Sequence, residues 1–97
     1  MTVNVLAHFV ARADRAEQLA TLLTGLIAPT RAEAGCRMYT LWRNREDPRR
    51  FTMVETWDSD AALDTHLATP HVQNAVTKLD ELLDEPLRLE RCSNCGG

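Results

Sequence analysis

Lysine is nearly missing from this chain: Lys78 is the only one, and arginine carries the rest of the positive charge. There is no basic surplus either. Lys and Arg total 11 against 14 Asp and Glu, and the net charge is -3. A protein that grips nucleic acid by its phosphates needs such a surplus, so nucleic acid is not an expected partner. Long apolar runs are also missing. No stretch reaches the roughly 20 apolar residues a membrane-crossing helix requires, so no membrane partner is expected. The opening "TVNVLAHFVA" has neither a basic n-region nor a long apolar h-region, and the cytoplasm is the expected location. No GxGxxG and no P-loop occurs, so the usual signals of nucleotide binding are absent. Cysteine is sparse: Cys36, Cys92 and Cys95 are the three, and cytoplasmic thiols stay reduced. The pair in "CSNC" supplies only two of the four ligands of a structural zinc site, and nothing nearby completes it. Residues 92–97 therefore read first as a tail without a role, a metal site shared across a dimer or a redox pair being the alternatives, and residues 1–91 as one domain. There are no internal repeats.

What is present is clear periodicity. "VNVLAHFVA" (3–11) is β-branched and apolar, and reads as a strand. In "DRAEQLATLLTGLI" the apolar Ala16, Leu19, Ala20, Leu23, Leu26 and Ile27 fall on one helix face. Asp14 with Glu17 three residues on has the form of a capping box, and Pro29 should kink or restart the helix. "CRMYTLWR" (36–43) and "FTMVETW" (51–57) form a hairpin across a polar turn. In the second of these strands Phe51, Met53, Glu55 and Trp57 share a face. Asp58 or Ser59 opens a short helix; Thr69 and Pro70 open another, with Val72, Ala75, Val76, Leu79, Leu82 and Leu83 on its apolar face. "PLRLERC" (86–92) alternates as a fourth strand. The order β-α-β-β-α-β is that of a ferredoxin-like α+β domain, both helices on one sheet face. The other face, with Leu and Val among its residues, is expected to be covered by a second copy in a symmetric homodimer.

The order and spacing of Gly35-Cys36, Tyr39, Glu55-x-Trp57, His66 and Pro70-His71 resemble the antibiotic biosynthesis monooxygenase family, over roughly Val3 to Glu90. The resemblance implies a dimeric α/β barrel of two ferredoxin-like units. It also implies, for members such as the small quinol monooxygenases, oxygenation of a quinol, phenol or polyketide-type aromatic by O2 without metal, flavin or other cofactor. The same family holds haem degraders and an isomerase. Haem degradation needs an axial histidine nine or ten residues beyond the His66 position, where this chain has Ala75 and Val76.

On this reading His66 is the candidate base. It lies three residues after Leu63 and four after Ala62, on the apolar helix face, and a free imidazole titrates where a phenolic proton can be taken. The plainer alternative is a core histidine satisfied by a carbonyl. His71, at the start of the second helix, is either a second catalytic group or a capping residue. The two histidines do not have the i, i+4 spacing of a helical zinc pair, and no metal site is read. Tyr39, Trp57 and Glu55 are candidate substrate contacts, the aromatics serving equally well as core. A buried Glu55 must be paired or protonated, and Arg37 or Arg43 on the neighbouring strand is the expected partner. His8, beside Leu6 and Val10, is expected on the barrel or dimer side. Two rival functions stay open: an isomerase working by proton transfer in the same cavity, and a non-catalytic small-molecule-binding or stress protein.

Overall fold

The computed structural model describes Met1–Gly97. In chain order its elements are β1 (Val3–Val10), α1 (Ala16–Thr24), α2 (Ile27–Arg31), β2 (Cys36–Arg43), β3 (Arg50–Trp57), α3 (Asp60–Leu67), α4 (Pro70–Leu82) and β4 (Arg88–Cys92). The strands form one antiparallel sheet in the order β2-β3-β1-β4, the ferredoxin-like topology expected from the element order. Every helix packs on the same side of it.

The period-two pattern of β3 decides which residues meet the helices. Phe51, Met53, Glu55 and Trp57 are buried, and Val5, Ala7 and Phe9 of β1 face the same way. Leu19 and Leu23 of α1, Leu63 of α3 and Leu79 of α4 close the core over them. The opposite sheet face carries Leu6, Val54, Met38 and Trp42, and no element of the chain covers it; Trp42 is 64% exposed. His8 lies on that face, between Thr52 (3.2 Å) and Glu90 (2.6 Å).

Three local expectations shift. The capping box at Asp14 does not form. The first helix begins at Ala16, so the cap position falls on Arg15, and Glu17 accepts from Arg43 (2.7 Å) instead of turning back. The break blamed on Pro29 falls upstream, at Gly25 and Leu26. Pro29 then sits in the first turn of α2, where a missing N–H costs nothing. The last strand starts at Arg88, past Pro86, which has no donor for the ladder, and continues through Cys92. Residues 93–97 form neither helix nor strand.

The α3 and α4 caps form as the sequence indicates. Ser59 accepts from the Ala62 N–H at 3.1 Å, and Thr69 from the Val72 N–H at 3.4 Å, with Pro70 opening α4. Ser59→Ala should therefore cost about 1 kcal/mol. Urea unfolding measures it, and an unchanged midpoint would show that the cap contributes nothing.

Candidate active site

The α3–α4 corner and the turn before β2 meet at one point. That turn, residues 32–35, is pinned by its own backbone: Glu33 N–H to Thr30 carbonyl (3.0 Å) and Cys36 N–H to Glu33 carbonyl (3.1 Å). It is held against α3 at Gly35, whose carbonyl accepts from Asp58 N–H at 2.9 Å. A Cβ on Gly35 would collide with the Cβ of Ala62, so only glycine allows this approach. The result brings the Glu33 carboxylate to α3. His66 Nδ1 lies 2.8 Å from Glu33 Oε2, and His71 Nε2, at the start of α4, lies 2.9 Å from the same oxygen. Thr69 braces the corner, donating to the His66 carbonyl at 2.7 Å.

His66 is 3% exposed. Its ring lies over Trp57, centroids 4.5 Å apart, and edge-on to Tyr39 at 5.6 Å. Tyr39 stands opposite Glu55 in the β2–β3 register. Glu55 accepts from the Trp57 indole N–H at 2.8 Å. Here the structure corrects the expected arginine partner. Arg37 pairs with Asp58 and Arg43 with Glu17, because both guanidinium heads reach solvent. Glu55 stays buried where only an indole N–H reaches it.

A carboxylate only accepts hydrogen bonds. An ionised Glu33 therefore places the hydrogen of His66 on Nδ1 and leaves Nε2 with its lone pair. Burial lowers the His66 pKa below its ordinary value, with the adjacent Glu33 acting against that. Burial pushes Glu55 up to about 7; the Trp57 hydrogen bond opposes this and the Glu33 charge adds to it. Burial, then Glu55, also raises the Tyr39 phenol, which stays protonated at neutral pH and can donate. The Thr30 hydroxyl eases that shift from nearby without hydrogen-bonding geometry.

One small cavity of about 50 Å³ joins His66, Tyr39 and Glu55 under an apolar rim that includes Leu26, Leu67, Val76 and Leu89. This is room for a few waters; a ring-sized ligand requires the rim side chains to move. Wider grooves near Arg12 and near Arg43 include none of the candidate residues. The structure thus brings His66, Tyr39 and Glu55 to one pocket. It sets His71 and Trp57 behind His66, the first on Glu33 and the second beneath the ring. Glu33 is the residue the sequence does not reveal. It lies in a turn without periodicity, 33 residues from His66 and 38 from His71.

The fold defines the class: a ferredoxin-like α+β domain, here with a carboxylate-backed histidine on the inner face of α3. The sequence matches the antibiotic biosynthesis monooxygenase family over residues 2–78. This chain belongs to that family. It is 40% identical over 85 residues to Rv0793 of Mycobacterium tuberculosis, which carries a provisional monooxygenase name; the match spans 88% of this chain and 83% of that protein. The solved structure of Rv0793 superposes with a TM-score of 0.94, covering 100% of this chain and 98% of that one at 34% identity. YcnE of Bacillus subtilis, provisionally named in the same way, is 32% identical over 88% of this chain and 90% of its own. PA3566 of Pseudomonas aeruginosa has a TM-score of 0.92 at 34% identity, covering 98% of this chain and 95% of that one. A monooxygenase-type function is the coarse reading these relations support. No helix is long and apolar enough to cross a membrane.

Proposed function

We propose that the protein is a cofactor-independent monooxygenase that oxidises a quinol, phenol or polyketide-type aromatic with O2. The observation that carries this is His66: its ring borders the apolar pocket while its Nδ1 is tied to Glu33 at 2.8 Å. Nε2 takes the phenolic proton, and the carboxylate behind it stabilises the imidazolium that forms. Tyr39, held neutral, donates to the substrate oxygen. The apolar walls exclude water from the anion. The anion passes one electron to O2, the two radicals join as a peroxide at ring carbon, and the peroxide collapses to a quinone and water. A phenol gives up four electrons in all. One oxygen atom enters the product and the other leaves as water, so the substrate supplies every electron. His71 acts through Glu33, and Trp57 holds both the His66 ring and Glu55.

The chemistry is tested by oxygen uptake with a panel of hydroquinones and anthrones in the presence of chelator. Uptake above the spontaneous rate supports the reading; none with any substrate counts against it. One observation favours a second reading. Glu55, with a pKa of about 7, and His66 border the same pocket and could serve an isomerase as acid and base. Such an enzyme would turn over without oxygen.

We also propose that the active form is a homodimer joined through the uncovered sheet face. Met38 (41% exposed) and Trp42 (64% exposed) are the apolar groups it would bury. Sedimentation should give twice the chain mass, and Trp42→Glu should shift it toward one; a monomeric parent protein would contradict the dimer.

A further inference from the structure

We propose that Glu33, His66 and His71 also form a binding site for a divalent first-row transition metal ion such as zinc, and that the ion switches His66 from proton acceptor to proton donor. The three side chains offer two imidazole nitrogens and a carboxylate oxygen, all within 4.8 Å of one another. Two histidines and one carboxylate form a donor set for zinc and for iron(II). Bonds of roughly 2.0–2.2 Å to a tetrahedral ion put donors roughly 3.3 Å apart. The two Glu33–imidazole distances, 2.8 and 2.9 Å, need to open only slightly to admit an ion. The two imidazoles must also reach that mutual spacing. His71, whose side chain is 25% exposed, can supply the movement.

A second observation points to a cation. The other oxygen of the same carboxylate, Glu33 Oε1, is shielded from solvent and has no hydrogen-bond partner. A buried acceptor in this state is costly, and an ion held by both oxygens of the carboxylate would satisfy it. A second opening, sharing no lining residue with the apolar pocket, reaches Glu33. There a surface dent is lined by Glu33, Gly35, Thr65 and Thr69. Thr69 Oγ1, 3.3 Å from His71 Nε2, stands beside the donors.

The consequence for His66 follows from the imidazole itself. An ion on Nδ1 displaces the hydrogen held there. A neutral ring then carries its hydrogen on Nε2, facing the pocket. The base becomes a hydrogen-bond donor, and metal loading blocks proton abstraction. The binding half of this inference stands on the cluster geometry; the inhibition half rests on the oxygenase reading.

The test is calorimetric titration of Zn2+ into the metal-free full-length chain, with Co2+ absorption as the spectroscopic signature. Cys92→Ser/Cys95→Ser removes the tail thiols as competing ligands. The expected result is one ion per chain and a Co2+ spectrum without thiolate bands, both unchanged by the cysteine substitutions. Glu33→Gln and His71→Asn should each weaken binding by about 10-fold or more. Three results would overturn the site: no saturable binding, binding lost with the tail cysteines, or binding indifferent to both Glu33→Gln and His71→Asn. Metal binding at the cluster with no oxygen uptake by the metal-free protein would leave the site standing and remove the oxygenase reading. Undiminished uptake by the zinc-loaded protein would overturn the switch alone.

Discussion

His66→Ala should lower the rate of oxygen uptake with an accepted phenol by roughly 10²- to 10⁴-fold, the contribution expected of a positioned general base. The loss should fall mainly on kcat, because His66 acts on the proton rather than on the bulk of the ring. The site also gives the direction of a second change. Glu33 raises the His66 pKa against the effect of burial. Glu33→Gln removes that charge, so the acid limb of the pH–rate profile should move to lower pH, and kcat should fall by less than in His66→Ala. Rates measured across pH 5–9 for the three proteins check both points. His66 is buried against Trp57, so His66→Asn, which keeps a polar group of related shape, controls for a packing defect. If His66→Ala and His66→Asn both keep full rates while folded, another group is the base.

Glu55→Gln should remove most of the loss of stability that the parent protein suffers as pH rises through neutrality. In the folded chain Glu55 keeps its proton up to about pH 7, against an ordinary value of 4.5. Between those values the folded state holds more protons than the unfolded state, so stability falls as pH rises. It is fully present below about 4.5 and lost by the time pH passes 7. At about 1.4 kcal/mol per pKa unit the difference approaches about 3 kcal/mol. For a chain of this size that corresponds to a Tm difference on the order of 10 °C or more. Glutamine can still accept from the Trp57 indole without ionising. Cys36 and Tyr39 are both shifted upward and stay protonated over this range, and His66 is common to both proteins, so comparing the two at one protein concentration isolates Glu55. Parallel Tm curves from pH 4.5 to 8 would show that Glu55 is ionised when folded.

These expectations rest on residues of unequal visibility in the sequence. Strand β3 is legible because its period of two matches a sheet with one buried face: Phe51, Met53, Glu55 and Trp57 all point inward as read. Thr69-Pro70 marks the start of α4 because both residues act within one turn of the backbone. The same local logic misses by one residue at Asp14, where the helix begins late and Arg43, from a distant strand, claims Glu17. Val76 belongs to the apolar stripe of α4, yet is 48% exposed at the rim of the pocket, where no neighbour covers it. Glu33 and the true partner of Glu55 are invisible to periodicity. One depends on a glycine contact that closes a turn against a distant helix. The other depends on an indole two residues along the same strand winning over two arginines that prefer water. The sequence places His66 on a buried face, but its carboxylate support appears only in three dimensions.

The central claim is that His66, backed by Glu33, takes a proton from a bound phenol. The most direct measurement is anaerobic mixing of the metal-free protein with an accepted phenol below the phenol's own pKa, followed by absorption. The account requires the bound phenolate to appear in the parent protein, to be lost in His66→Ala, and to decay to quinone only when O2 is admitted. Absence of the anion in the parent protein, or equal anion in His66→Ala, would contradict it.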